Sequence, residues 1–168
     1  MKQKMKEIKN QNKHILCLDV SLNSTGYAIF THSNNLVTYG TINTSKIELR
    51  NPEVYSEKVL HIFNELRKLN NEYEIDLILI ERSFVQFNKA TKAIQRVFGV
   101  IDLLFNKIEM ILISPLSTKT LLCGSKKNID KKDVLQEINF NYNLDLKLKD
   151  NDIADAIALA FYYFNKLI

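Results

Sequence analysis

Three short, nearly continuous apolar runs constrain this chain more than any other feature. They are residues 14–20 (HILCLDV), 77–80 (LILI) and 110–113 (MILI). Each is too short for a helix and lacks the alternation of a strand with one wet face. Such runs are strands buried on both faces, which occur in parallel sheets covered by helices. After the first run, residues 21–25 (SLNST) have turn chemistry. Residues 26–31 and 36–44 read as two more strands, with 32–35 (HSNN) as the hairpin between them. From Pro52 the pattern becomes helical: Val59, Ile62, Phe63, Leu66 and Leu69 recur at three- and four-residue steps. Residues 88–106 repeat it, with Ile94, Val97, Ile101, Leu104 and Phe105 on one side. The third run is stopped by Pro115, and residues 131–140 and 152–168 read as helices. This order requires an α/β fold with a mixed five-stranded sheet, right-handed crossovers and helices on both faces.

Composition agrees with one packed domain. Of the 168 residues, 46% are hydrophobic and 10% aromatic, so the chain is globular rather than disordered. A domain of about 150 residues buries roughly 68–70% of its unfolded surface and needs no metal or disulfide to hold it together. Two distant cysteines, Cys17 and Cys123, make no disulfide framework and point to a reducing compartment. No apolar run reaches the roughly 20 residues that span a bilayer, and no apolar segment follows the basic N-terminus to make a secretory signal. No membrane association is expected. Abundant Lys, Asn and Ile suggest an AT-rich genome, and the expected location is the cytoplasm of a bacterial or phage-infected cell.

Carboxylates gather where a sheet of this kind does its chemistry. Ligands bind at the carboxyl ends of strands in open α/β sheets. Asp19 ends the first buried run and Glu81 the second. Either alone is an ordinary strand-end acid; together, on adjacent parallel strands, they reach one edge. Asp152 and Asp155 stand at i and i+3 of DNDIADAIALA and share a helix face. The surrounding Ile and Ala residues make that helix a buried one. Capping explains Asp150 and Asp152. It does not explain Asp155, whose carboxylate is costly on a buried face unless paired or metal-bound. Four oxygen-donor groups without a His or Cys cluster suit Mg²⁺, with Mn²⁺ as substitute, rather than zinc. Two such ions clamp the attacking and leaving oxygens in phosphodiester hydrolysis. His14, His32 and His61 show no ligand spacing. No phosphate loop, nucleophile elbow or dinucleotide fingerprint is present, so no nucleotide cofactor is expected.

These motifs resemble those of the RuvC-type Holliday junction resolvases, within the ribonuclease H-like and retroviral integrase superfamily. The resemblance rests on Leu18-Asp19-Val20-Ser21 with Ser24-Thr25-Gly26-Tyr27-Ala28, and on Ile80-Glu81-Arg82-Ser83-Phe84. Lys119-Thr120-Leu121-Leu122-Cys123-Gly124 and Asp152-Ile153-Ala154-Asp155-Ala156 complete it. It covers about residues 14–165 and implies a ribonuclease H-like fold for a domain over 14–168. It implies that Asp19, Glu81, Asp152 and Asp155 are catalytic and hold two Mg²⁺ ions. Phe84 matches an aromatic that stacks on bases at the junction centre, where stacking is worth roughly 1–3 kcal/mol per base. Lys119 matches a DNA-binding lysine, and the second such lysine falls at Lys131 or Lys132. The family usually has a second Gly after the first; here Ser125-Lys126-Lys127 follows Gly124. The resemblance also implies a homodimer built through the helix at 88–106, whose two active sites nick opposing strands of a four-way junction.

Charge is distributed to match. The formal +4 resides in residues 1–13, a basic tail with five Lys and one Glu that is expected to be disordered; the remaining 155 residues are neutral. Within them, residues 48–81 carry −4, residues 82–107 (Arg82, Lys89, Lys92, Arg96, Lys107 against Asp102) +4, and residues 117–132 (Lys119, Lys126, Lys127, Lys131, Lys132 against Asp130) +4. Each basic block alone reads as a solvated surface; two blocks flanking an acidic pocket make a phosphate-binding one. The reading is a Mg²⁺-dependent crossover junction endodeoxyribonuclease. Its rivals are a related nuclease acting on RNA or on fork and flap DNA, and a non-catalytic junction-binding protein.

Overall fold

A computed structural model describes residues 13–50, 55–82, 89–124, 126 and 128–168. The strands are β1 (Lys13–Asp19), β2 (Ser24–Thr31), β3 (Leu36–Asn43), β4 (Glu74–Glu81) and β5 (Glu109–Ile113). The helices are α1 (Ser56–Glu72), α2 (Lys89–Leu104), α3 (Pro115–Cys123), α4 (Lys131–Tyr142) and α5 (Asn151–Lys166), with a 3₁₀ turn at Leu148–Asp150 before α5. The expected mixed five-stranded sheet is present, in the order β3-β2-β1-β4-β5. β1 pairs antiparallel with β2 and parallel with β4, and β4 pairs parallel with β5. β1 begins at Lys13, so the strand takes the last residue assigned to the basic tail; the rest of that tail lies outside the described residues.

Alternation along the central strands divides the core in two. Leu16, Leu18, Ile78 and Ile80 pack with Ile62 and Leu66 of α1 and Val97 and Ile101 of α2. Ile15, Cys17, Leu77 and Leu79 pack with α5 and with residues of α3 and α4. Both cysteines are free thiols, and burial pushes the Cys17 thiol far up. Among the described residues no helix is long and apolar enough to cross a membrane.

Several local readings change. Ser24 and Thr25 belong to β2 rather than to the turn before it, and Asn34 takes the left-handed conformation (φ 63°) in the β2–β3 hairpin. Residues 115–123, read only as the stop after a strand, form α3. Ser114 is extended before it and Pro115 occupies its first turn, where a missing N–H costs nothing. β5 is not buried on both faces: it is an edge strand, and Leu112 is 49% exposed because neither helix layer covers it.

Gly26 governs how α5 meets the sheet. A Cβ built there would lie 2.0 Å from the Asp152 carbonyl oxygen and 2.3 Å from its carbon. These are backbone atoms at the start of a long helix and cannot swing aside. Gly26→Ala should therefore destabilise the protein by about 3 kcal/mol, the upper end for overpacking. Chemical denaturation of both proteins measures it, and a loss below about 0.5 kcal/mol, the size of an ordinary surface substitution, would mean that α5 is not so closely seated.

Candidate metal and nucleic-acid site

Strand register brings the first two carboxylates together. Leu18 of β1 lies opposite Ile80 of β4, so the next residues, Asp19 and Glu81, end the two strands side by side. Leu18 and Ile80 both enter the α1/α2 core. Alternation then turns Asp19 and Glu81 to the other face, the one that α5 covers. Asp19 also lies opposite Gly26 on β2, the residue against which the Asp152 backbone rests. One close contact thus sets the start of α5 beside the end of β1. Asp155 stands one turn further along the same helix.

The four acids interact as a set. Burial raises the Asp19 carboxyl, and the charges of Asp155, Glu81 and Asp152 raise it further, to about 8 despite opposition from Lys131. Burial raises Glu81, as does Asp155, against Lys119. Burial also raises Asp155, with Lys119 and Lys131 opposing and Asp152 adding. Among the described residues no three acids converge on one ligating point, a looser arrangement than the cage expected from sequence. The donor chemistry nonetheless fits a hard divalent cation. All donors are oxygen, and three of the four carboxyls are held above their usual range by burial and like charge, which a cation would relieve.

Two neighbours of Asp152 are not among the site residues expected from sequence. The Ser24 hydroxyl donates to Asp152 Oδ2, and Asn151 Nδ2 donates to Asp152 Oδ1 at 2.5 Å. Both carboxylate oxygens are therefore oriented by protein donors. Ser24 opens a motif already read in the sequence, but only its place as first residue of β2, facing α5, reveals its contact with Asp152.

The basic residues separate into groups. Lys119, half-buried on α3, exerts its charge on Glu81 and Asp155. Lys131, the first residue of α4, does so on Asp19 and Asp155, which distinguishes it from its neighbour Lys132. Lys132 is exposed, and its backbone N–H donates to Asp130, the cap of α4. Lys126 is paired with Asp133 at 2.9 Å. Arg82 is exposed just past β4, its backbone N–H donating to the Ile113 carbonyl at 2.8 Å. Phe84 and Lys127 lie outside the described residues. His32 is engaged by Asp76 at 2.7 Å, at the opposite end of the sheet from the acids.

Known proteins resemble this chain in sequence and in fold. The family model described as "Crossover junction endodeoxyribonuclease RuvC" matches residues 15–163. A protein of that name from Prochlorococcus marinus strain AS9601 is 30% identical over 157 residues, covering 90% of this chain and 96% of the relative. Its counterpart from Prochlorococcus marinus subsp. pastoris is 27% identical over 154 residues, with the same coverage. Among solved structures, Thermus thermophilus RuvC in complex with Holliday junction substrate superimposes with a TM-score of 0.73 at 15% identity, covering 90% of this chain and 92% of that one. The yeast mitochondrial Holliday junction resolvase gives 0.60 at 14% identity, covering 89% and 76%.

The raised Asp19 carboxyl has a consequence for stability. The folded chain keeps this proton up to about pH 8, whereas an unfolded Asp releases it near pH 3.9. Between those values the folded state binds more protons, so this group makes stability fall as pH rises. In EDTA, Asp19→Asn should be more stable than the parent at pH 8 and differ little at pH 4. Urea denaturation across that range tests it, and a parallel offset at every pH would refute the cause given.

Proposed function

Because the chain belongs to the RuvC family of crossover junction endodeoxyribonucleases, we propose that it resolves four-way (Holliday) DNA junctions by paired, metal-dependent phosphodiester hydrolysis. The observation that carries this reading is the gathering of Asp19, Glu81, Asp152 and Asp155 at one sheet edge, within the charge range of Lys119 and Lys131. The four carboxylates hold Mg²⁺, with Mn²⁺ as substitute. When bound, such ions lower the pKa of the attacking water and carry the charge that develops on the phosphate. Asp19 and Glu81 are offered by rigid strand ends. Asp152 and Asp155 are offered by a helix that cannot slide without striking Gly26. Ser24 and Asn151 hold Asp152 in its ligating orientation. Lys119 and Lys131 draw the phosphate backbone towards the acids. Arg82, Phe84 and the lysines at 126, 127 and 132 belong to the DNA-contacting surface in this reading.

A homodimer fits the exposed apolar residues of α2 and β5. Leu103 on α2 is 70% exposed and Leu112 on β5 is 49% exposed. A hollow of about 380 Å³, lined by Phe98, Met110 and Leu112 among others, lies between α2 and β5. A second copy across this face doubles the basic blocks and presents two active sites to a junction with two-fold symmetry. The relatives are bacterial proteins, and we place this chain in the cytoplasm with its DNA.

Incubation with a synthetic four-way junction, a fork, a duplex and an RNA–DNA hybrid tests the proposal. Symmetric nicking of the junction that requires Mg²⁺ or Mn²⁺ is expected, and preference for the hybrid would replace junction resolution with an RNA-directed activity. Asp155→Asn should reduce cleavage by about 1,000-fold or more, as expected when an ion that carries transition-state charge loses a ligand, while junction affinity changes little. Retained nicking would remove Asp155 from the ligand set. Removing an outer partner of a ligand typically costs about 10–100-fold in metal affinity. Ser24→Ala should therefore weaken Mn²⁺ binding, measured by electron paramagnetic resonance, about 10-fold, and Ser24→Thr should restore it. Equal affinity in all three proteins would deny Ser24 this role.

A further inference from the structure

We propose that Lys58 and the cleft it lines form a second phosphate-binding site, which takes a backbone phosphate of the bound DNA. Lys58 is in the first turn of α1 and is only 9% exposed, although it is a lysine. Its Nζ donates to Asn23 Oδ1 at 2.7 Å, a neutral partner. No carboxylate among the described residues lies within ion-pair distance of it; the adjacent Glu57 is engaged by Arg50 at 3.8 Å and by Ser56. A buried cation is costly without a compensating anion.

Lys58 borders a cleft of about 410 Å³, lined also by Ser21, Asn23, Tyr55 and Ile94. The cleft offers the Ser21 and Tyr55 hydroxyls alongside the ammonium, and α1 has no side-chain cap at its N-terminus. An anion there meets the positive end of a 17-residue helix as well as Lys58.

Its position ties it to DNA. The loop between β1 and β2 separates the cleft from the acidic pocket: Asn23 touches Lys58 and the next residue, Ser24, touches Asp152. The loop itself is rigid. Thr25 Oγ1 donates to the Ser21 carbonyl at 2.6 Å, the Thr44 hydroxyl donates to the Leu22 carbonyl, and the Thr44 N–H donates to the Asn23 carbonyl at 2.9 Å. A strand that places one phosphate at the carboxylates and crosses this loop delivers another to Lys58. The site rests on the junction-binding reading and adds to it a contact on the α1/α2 face of the sheet.

The test is equilibrium binding of a four-way junction by the full chain in EDTA across a series of salt concentrations. Each phosphate contact contributes about 0.9 to the slope of log K against log salt. Lys58→Gln should lower that slope by about 0.9 per site and weaken binding several-fold at low salt, and Lys58→Arg should recover both. Asn23→Ala removes the loop contact but keeps the cation, so it should leave the slope at the parent value. Unchanged binding and slope in Lys58→Gln would overturn the site, as would an identical slope loss in Asn23→Ala, since Lys58 then acts only by pinning the loop. A thermal shift by inorganic phosphate that Lys58→Gln abolishes, with junction binding intact, would assign the cleft to a free anion instead. Parent protein that binds no junction would overturn the functional reading itself.

Discussion

The absence of one carbon atom at Gly26 lets a helix backbone rest directly on a strand. With any side chain there, the Asp152 carbonyl would have to move outward. α5 would lift from β2, and Asp152 and Asp155 would withdraw from Asp19 and Glu81. The acidic set is therefore a product of packing. The alanines of α5 serve the same end, since Ala154, Ala156, Ala158 and Ala160 are all buried and keep the helix close to the sheet.

That closeness has an electrostatic cost, visible in the raised carboxyls of Asp19, Glu81 and Asp155. Lys119 and Lys131 offset part of it. Each reaches the acids from a different helix, α3 or α4, so the arrangement depends on loops and caps as well as on the sheet. The capping box of Asp130 and Asp133 begins α4 at Lys131 and in doing so positions that lysine. Asp133 also pairs with Lys126.

Much of this arrangement is legible in the amino-acid order. Continuous apolar runs mark β1 and β4, and their last residues are Asp19 and Glu81, because strand burial and strand polarity are local properties. An acid inside an Ala-rich helix marks Asp155 through the cost of burying charge. What escapes such reading is set by tertiary contact. Ser24 is one more turn residue until β2 places it against α5. Lys58 is a solvated helix residue until the loop after β1 and the helix α2 close around it. β5 has the same apolar composition as β1 and β4, and only its place at the edge of the sheet leaves Leu112 open. α3 is easily overlooked because a Ser-Pro pair both ends a strand and starts a helix.

Chain order gives the acidic set a further property. Asp19 lies in the first strand and Asp152 and Asp155 in the last helix, with the whole of the sheet between them. Domains emerge from synthesis amino end first. A nascent chain can pair β1 with β2 and β4 and still lack half of its acids. Docking of α5, which follows every strand in that order, both seals the core around Cys17 and completes the set. With the acids in the role proposed for them, the chain is unable to cut DNA until α5 has docked.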